Sequence, residues 1–591
     1  MKRESKTSTV VRASRRAGFS PVLPRAWTDA AGVILIGLAV VVAFWPSLGG
    51  GFLWDDDSWI AATPSVPMHR LMRDDAGLLD IWLTAKAEDY WPLTNSLFWI
   101  EWRLWGMNPA GYRAVNLLLH GIGSVLVWRV LRRLRLEAAW LGAVLFAVHP
   151  VTVASVAWIS ELKNCLSLPL YAAALLAWLR FDEGGQRRWY AASLVAFVLA
   201  LLAKTSTVVL PVVLLACCWW RRGRIDRRDL LRTAAFFVPA LLLGGVTMLR
   251  QSPHIVIPGE PMPDGLLSRI AASGWVVWFY LGKALLPLRL AMLYPRWQVD
   301  PTSPTAWLPL AAAIGAAVAI PRLPRRVARP VAMAMGCYVV ALGPVLGIVN
   351  MLFRRYSLVS DHLQYLALPA ITALVATAVM AAAKITWLRP TALGAGGMLV
   401  AALMALTWQR SEVFRSTESL MRDSLVANPD SWAAHTNLGV VLIGSGRMPE
   451  GIEHYREALR LMPTSAKAHN NLGSALFSLG RPQEAIPHYQ EALRINPNLV
   501  EIHSNLGVAF GIIGRPDEAI PHLQEAVRTM PASAQAHNNL AHALVLQGRL
   551  GEAVDHYEES LRLNPDHSTA RDHLQRLREV LEKQQNAPHT E

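Results

Sequence analysis

The sequence predicts an all-α protein in two parts: a helical domain that crosses a membrane many times, and a helical solenoid behind it. Three observations predict it. Apolar stretches of bilayer-spanning character recur between residues 28 and 408. Beyond them one pattern returns every 34 residues, as Asn437-Leu438-Gly439, Asn471-Leu472-Gly473, Asn505-Leu506-Gly507 and Asn539-Leu540-Ala541, with Pro429, Pro463, Pro497, Pro531 and Pro565 at the joints. A helix-turn-helix period of that length is the tetratricopeptide (TPR) signature. Charge divides at the same boundary. From Ser411 onward 16 Lys and Arg stand against 22 Asp and Glu, about −6, and the total of +14 leaves about +20 for the first 410 residues.

In chain order, residues 1–27 form a basic cytoplasmic N-terminus carrying Lys2, Arg3, Lys6, Arg12, Arg15 and Arg16. Residues 28–410 form the membrane domain, with about eleven spans near 28–47, 112–131, 138–157, 164–181, 189–204, 206–220, 232–249, 304–320, 330–350, 363–382 and 390–408. The first span lacks a small-residue cleavage site, so it is expected to stay as a span and not act as a removable signal. Of 23 Trp, 22 precede Ser411, many at the ends of apolar stretches where interfaces favour amphipathic rings.

Short basic runs separate the spans, the positive-inside pattern of a polytopic protein and not a patch suited to nucleic acid. With the N-terminus cytoplasmic, Arg132-Arg133, Arg187-Arg188, Arg221-Arg222, Arg322 to Arg329, and Lys384 with Arg389 all fall in the cytoplasm. This requires that 266–288, apolar but holding Arg269 and Lys283, lie at the interface or re-enter without crossing. Eleven crossings then put the repeats outside the cytoplasm, in a multi-pass protein of the bacterial inner membrane. Cys165, Cys217, Cys218 and Cys337 all lie in apolar segments and give neither a disulfide framework nor a metal spacing.

The same parity gathers chemistry on the outer face. The loop 48–111 carries Asp55, Asp56 and Asp57, and the outer face also receives His149, Glu161, Lys163, Lys204, Arg354, Arg355, Asp361 and His362. Outside the cytoplasm nucleotide sugars and ATP are scarce, so a transferase there takes its activated group from a lipid phosphate. A carboxylate near the membrane surface can serve as general base on an acceptor hydroxyl, while cations hold the departing phosphate. Trp54-Asp55-Asp56-Asp57 suits the first role, and Lys204, Arg354 and Arg355 the second.

Several ordered segments carry a resemblance. Phe52-Leu53-Trp54-Asp55-Asp56, Tyr90-Trp91-Pro92-Leu93-Thr94, Gly106-Met107-Asn108-Pro109 and Asn116-Leu117-Leu118-Leu119-His120 come first, then His149-Pro150-Val151 and Val156 to Lys163. Leu202-Ala203-Lys204, Tyr294-Pro295 and Asp361-His362-Leu363-Gln364-Tyr365-Leu366 follow. Together they resemble the transmembrane-and-TPR protein O-mannosyltransferases and their bacterial relatives, over nearly the whole chain. The resemblance implies a GT-C-like glycosyltransferase using a lipid-phosphate sugar. It makes Asp55 and Asp56 the catalytic pair and assigns Asp57 no role. From the outer-face gathering, donor-phosphate contacts are expected from Lys204, Arg354, Arg355, His149 and Lys163, and a donor sugar site at Glu161, Asp361 and His362. Two departures remove an Arg: Trp91 where many members have Tyr-Arg-Pro-Leu, and Asp361-His362-Leu363 where many have Asp-Arg-Tyr. His362 would restore that charge only when protonated.

In the second part, residues 411–429 read as a linker helix, 430–565 as four repeats, and 566–591 as a capping helix and tail. In TPR geometry Asn437, Asn471, Asn505 and Asn539 face the inner groove as a ladder of amides able to bond an extended acceptor peptide whatever its side chains. The ladder resembles that of cytosolic O-GlcNAc transferase; the competing reading is that these amides bridge neighbouring helices. Twelve of 17 His also follow Ser411, in two ladders: His435, His469, His503, His537 and His454, His488, His522, His556. Equivalent residues of stacked repeats lie about 10 Å apart, too far to converge within about 2 Å of one ion, so packing or surface roles are expected and no metal ligand is assigned. A lipid-phosphate sugar is the only small molecule implied, and the residues leave a divalent metal open.

The expected function is transfer of a sugar from a polyprenyl-phosphate carrier to Ser/Thr hydroxyls of proteins recruited by the repeats, with membrane lipid as the other partner and no nucleic acid. Two alternatives stand beside it. An O-antigen ligase or polymerase would put its key Arg and His in a late outer loop, whereas here the acids sit in the first. A non-catalytic TPR membrane scaffold would tolerate Asn in place of the acids.

Overall fold

A computed structural model describes residues 25–56, 71–84, 90–251, 264–349 and 352–585; Asp57 lies outside them. Every regular element among the described residues is a helix. A helix stands at each of the eleven predicted spans. Seven are long and apolar enough to cross a membrane: Asp29–Leu48, Pro109–Arg133, Ile159–Gly184, Arg227–Arg250, Pro304–Arg322, Arg325–Val345 and Thr386–Val413. The pair Ala139–Ala147 and Pro150–Val156, bent by 49°, makes an eighth if read as one broken span. Helices Arg187–Ala203, Leu210–Arg222 and Leu368–Ala383 are shorter.

The bundle has two chemically distinct ends. At one, basic loops are stitched to the few acids nearby. Asp29 pairs with Arg129 at 3.0 Å and also with Arg132, while Asp182 holds Arg221 at 2.9 Å and Arg222 at 2.7 Å. At the other end the chain leaves Arg25–Leu48 through Gly50 and Gly51, whose carbonyls accept from the guanidinium of buried Arg113. Arg113 Nε donates to Ala157 O at 3.0 Å, so one side chain ties the acidic loop to the turn between two bundle helices.

Helix Leu266–Leu285 does not run between the two ends. Arg269 donates to Ile348 O at 2.9 Å near one terminus, and Ala284 O bonds His149 Nε2 at 3.1 Å near the other. Both partners belong to the half of the bundle that carries the acidic loop.

Helix Arg389–Val413 returns the chain to that same half, and the repeats begin there. Gly51 N donates to Arg415 O at 3.0 Å, and Trp54 N to Thr417 Oγ1 at 3.2 Å. The linker helix is Thr417–Ala427, shorter than expected because the preceding helix extends to Val413. Four helix pairs follow, beginning at Trp432, Ala466, Val500 and Ala534, with Ser568–Gln585 as the cap. Ser431, Ser465 and Ser533 accept from the backbone N–H three residues on and start three of the inner helices. The Gly of each Asn-Leu-Gly is steric: a Cβ on Gly439 would lie 2.5 Å from the Tyr455 ring, and one on Gly507 2.5 Å from Leu523.

The two parts share a core. Phe414, Leu420, Met421, Leu438 and Leu442 are buried in one cluster with Phe44, Leu53 and Tyr365 of the bundle, whereas the second helix of the first repeat and the later repeats form their own. The first repeat is therefore built onto the membrane domain, and the acidic loop is clamped between them.

Candidate functional site

The acidic loop turns sharply after Leu53. Trp54 adopts φ +40°, a left-handed conformation rare for a bulky residue, and its indole stacks on Trp158 at 5.7 Å and 2°. The two acids that follow face different surroundings. Asp56 is fully buried. Its Oδ2 accepts from Leu53 N at 2.9 Å, and its Oδ1 from Ser160 N at 2.8 Å and Ser160 Oγ at 2.6 Å. Burial raises its pKa to about 6 against the pull of these donors and of Arg113. Asp55 is half-buried. Burial raises its pKa too, opposed by the positive fields of Lys163, Lys467 and Arg355, with the Glu161 charge adding to the rise. Lys467 belongs to the second repeat, so the solenoid reaches the electrostatic environment of the loop.

Beside them Glu161 anchors a buried charged cluster at the start of helix Leu162–Gly184. Its Oε1 lies 2.9 Å from Lys163 Nζ and 3.8 Å from His362 Nε2, and its Oε2 lies 3.7 Å from Lys204 Nζ. Asn164 knits the group, donating to Glu161 Oε2 at 2.6 Å and to His362 O at 3.1 Å while accepting from Lys204 Nζ at 2.6 Å. Lys163 also sits over the Trp91 ring at 4.9 Å. His362 Nδ1 pairs with Ser360 Oγ at 2.9 Å, and burial lowers its pKa to about 4 despite the nearby Glu161. His362 is therefore neutral at pH 7 and does not restore the Arg charge that the sequence lacks there.

Asp55, Glu161, Lys163, Lys204, Arg355 and His362 thus share one region, in which the two lysines outnumber their single buried acid. Other predicted site residues are turned elsewhere. His149 has both ring nitrogens committed to backbone, Nδ1 accepting from Val151 N at 3.3 Å and Nε2 bonding Ala284 O, because it caps the turn at the helix break. Arg354 pairs with Asp264 at 3.3 Å, on a flank shared with Arg296. Asp361 accepts from Tyr294 Oη at 2.9 Å, and burial raises its pKa to about 6 with Arg410 opposing.

Sequence reasoning missed Asn164, Ser160 and Arg113. Ser160 and Asn164 flank Glu161 in Ser160-Glu161-Leu162-Lys163-Asn164, and Asn164 at i+3 falls on the same helix face. Arg113 is a lone cation near the start of an apolar helix, which was the available signal. An aromatic chain was missed as well. Trp432, the single Trp of the repeats, meets Tyr356 at 5.8 Å, Tyr356 meets Trp54 at 5.5 Å, and Trp158 meets His362 at 5.6 Å.

The Asn ladder is half-buried along the repeats. Asn505 Nδ2 donates to Asn470 Oδ1 at 3.4 Å and Asn539 Nδ2 to Ser504 Oγ at 3.3 Å, while Asn437 bonds back to Ala433 O at 2.8 Å. Two of the four amides therefore bridge repeats, and Asn471 Nδ2 has no partner among the described residues. The His ladders meet in pairs, with Nδ1 to Nδ1 separations of 2.9 Å (His435, His454), 3.1 Å (His469, His488), 3.0 Å (His503, His522) and 3.0 Å (His537, His556). The ring centres lie 5.1 to 5.4 Å apart, which puts the nitrogens nearly on the line between them. Lone pairs so aligned share a proton; they do not converge on an ion. The one cluster of three metal-type ligands among the described residues, Asp182, Cys218 and Asp229, lies at the basic end, where Arg222 occupies both carboxylates.

Residues 89–254 match the family model described as dolichyl-phosphate-mannose-protein mannosyltransferase, and residues 441–480, 466–499 and 506–568 match tetratricopeptide repeat models. The chain is similar to protein O-mannosyl-transferase TMTC4 of Mus musculus, 24% identical over 510 residues that cover 74% of this chain and 66% of the relative. It is similar to protein O-mannosyl-transferase Tmtc2 of Drosophila melanogaster, 32% identical over 244 residues that cover 37% of this chain and 24% of the relative. The chain spans just under two thirds of the length of the first of these relatives and about a quarter of the second. Among solved structures the repeats are similar to the TPR protein YrrB, at 22% identity and a TM-score of 0.25, covering 29% of this chain and 86% of that chain.

Proposed function

The chain belongs to the transmembrane-and-TPR protein O-mannosyltransferase family, and from that premise we propose that it transfers a sugar from a polyprenyl-phosphate carrier to Ser or Thr hydroxyls of proteins. Asp55 is the general base. Asp55 is partly exposed within the positive fields of Lys163, Lys467 and Arg355, whereas the Asp56 carboxylate is fully buried and holds its own loop and Ser160. Asp56 is a positioning residue that folds the loop.

In the reaction Asp55 takes the hydroxyl proton, and the oxygen attacks the anomeric carbon from the face opposite the phosphate. The bond from that carbon to the phosphate oxygen breaks with its electron pair leaving on polyprenyl phosphate, which inverts the anomeric centre. Lys163, Lys204 and Arg355 attract the departing phosphate, and a raised pKa at Asp55 improves it as a base near neutral pH. The repeats capture the acceptor, and attachment of the first repeat to the loop delivers it at the membrane surface. The positive-inside distribution supports an extracytoplasmic location for the acidic end, because the basic loops gather at the opposite end. The return of Leu266–Leu285 to one half of the bundle supports its reading as an interfacial helix, on which the odd number of crossings depends.

The observation that carries the proposal is the partly exposed Asp55, which feels the positive charge both of Lys163 beside Glu161 and of Lys467 in the repeats. Its test is transfer of mannose from synthetic polyprenyl-phosphate mannose to a Ser/Thr peptide in proteoliposomes. Asp55→Asn should lower kcat by roughly two to four orders of magnitude, as loss of a general base does, with the apparent Tm unchanged. Parent-level transfer by that variant would remove the base assignment and favour a scaffold.

A further inference from the structure

A cavity of about 1020 Å³ lies among helices Pro109–Arg133, Leu162–Gly184, Leu210–Arg222, Arg325–Leu342 and Leu368–Ala383. It belongs to no part of the mechanism above, since Asp55, Glu161, Lys163 and Lys204 are not among its lining residues. Its volume stands at the top of the range of about 300–1,000 Å³ typical of small-ligand sites. The walls are apolar, including Leu131, Leu168, Tyr171, Leu175 and Met333. Along one wall Leu366, Ala370, Ala373, Thr377, Ala381 and Lys384 recur at helical spacing. At about 1.5 Å per residue that stripe is roughly 27 Å long, close to a hydrocarbon thickness of about 30 Å. The cavity is thus a slot that runs along helix Leu368–Ala383.

Its mouth is at the end opposite the acidic loop and is strongly basic. Arg135, Arg325, Arg326, Arg329 and Lys384 line it against one acid, Glu137. Glu137 is taken by Lys384 at 2.8 Å. Arg329 donates to Trp220 O, a neutral partner. Arg135, Arg325 and Arg326 make no ion pair among the described residues. Four guanidinium groups therefore ring an apolar slot without a compensating carboxylate.

We propose that the slot binds an anionic glycerophospholipid of the leaflet opposite the acidic loop, with its phosphate among Arg135, Arg325, Arg326 and Arg329 and its acyl chains along the Leu131–Met333 walls. Charge complementarity selects the head group, because planar guanidinium forks match phosphate oxygens. Slot length and apolar walls select the chains, which neither a soluble phosphate nor a peptide would fill.

The test uses the delipidated full-length protein in detergent, with phosphatidylglycerol and phosphatidylcholine titrated separately and bound lipid counted by native mass spectrometry. The parent should retain phosphatidylglycerol preferentially. Each basic side chain near an anionic lipid contributes roughly a fivefold preference, so Arg325→Gln/Arg326→Gln/Arg329→Gln should weaken phosphatidylglycerol by about 10²-fold and leave it within about fivefold of phosphatidylcholine. Ala370→Phe, which fills the slot and leaves the mouth intact, should weaken both lipids and guards against misfolding of the triple variant. Equal retention of the two lipids by the parent would overturn the proposal, as would a triple variant that binds like the parent. Displacement of phosphatidylglycerol by inorganic phosphate, or by polyprenyl phosphate at far lower concentration, would overturn it too.

Discussion

Asp56 is the position where burial, charge and hydrogen bonding can be set against one another in numbers, and Asp56→Asn is the perturbation that separates them. In the parent, three donors converge on the carboxylate, yet burial still pushes its pKa up to about 6. An Asp raised to that value from the ordinary unfolded value of about 3.9 binds its proton more tightly folded than unfolded. Two pKa units correspond to about 3 kcal/mol. That contribution is fully present below about pH 4 and is lost as pH rises through about 6. Asn does not titrate. It offers one acceptor oxygen to three donors and turns an NH₂ toward one of them, a cost of about 1–3 kcal/mol at every pH for an unmet buried donor. The stability of the parent relative to the variant should therefore fall by about 2 kcal/mol between pH 4.5 and pH 8. Apparent Tm of both full-length proteins in one detergent across that range reads the difference directly, and the other titrating groups cancel. A shift of a few degrees in the gap is expected. A gap that is constant, or that widens as pH rises, would refute the assignment of Asp56 as a buried structural acid.

Three further outcomes follow from the same geometry. Lys467→Met removes a positive field that lowers the Asp55 pKa, so the acid limb of the kcat/KM profile should move to higher pH; an unmoved or lowered limb would separate the repeats from the reacting acid. Asn471→Ala/Asn505→Ala/Asn539→Ala removes two long, half-buried bridges of 3.3 to 3.4 Å and one exposed 2.7 Å bond from Gln535 to Asn539, worth about 1 kcal/mol each. The stack should stay folded by amide exchange and KM for protein acceptors should rise with kcat on a saturating peptide unchanged; an unfolded stack would make the amides structural. Reporter fusions after Trp408 should read extracytoplasmic and one after Arg326 cytoplasmic, and a cytoplasmic stack would break the chemistry proposed for the acidic end.

The all-α class, the repeat period and the positions of the helices were legible because each rests on a periodicity written into the chain. The 34-residue spacing survives as four helix pairs, and every apolar stretch forms a helix. The short helices and the 49° break at His149 were not legible, since composition alone does not say where a helix ends inside an apolar run. Among site residues, Glu161, Lys163, Lys204 and His362 were found as charges in apolar surroundings and do converge. His149, Arg354 and Asp361 carried the same signal but pair with backbone, Asp264 and Tyr294. Residue type marks a buried polar group, and only the fold says which neighbour satisfies it. For the same reason Asn164 passed unnoticed: a neutral amide in a helix carries no sequence signal until both of its ends are seen to be used.

The union of the first repeat with the bundle bears on how an acceptor reaches Asp55. A solenoid on a flexible tether would raise the local concentration of acceptor without aiming it. Here the tether is absent: Arg415 and Thr417 bond the acidic loop, Trp432 packs on Tyr356, and the inner-helix leucines of the first repeat lie in the bundle core. Under the proposed function, a peptide held along the inner helices would be directed at the loop in a fixed register, and orientation would add to capture. Rigid delivery also constrains the substrate. The hydroxyl must lie at a set distance from the segment bound by the repeats, so lengthening an acceptor between its docking segment and its Ser or Thr should move the modified residue along the sequence and not abolish transfer. Modification at any hydroxyl, irrespective of that spacing, would mean that the repeats recruit without aiming.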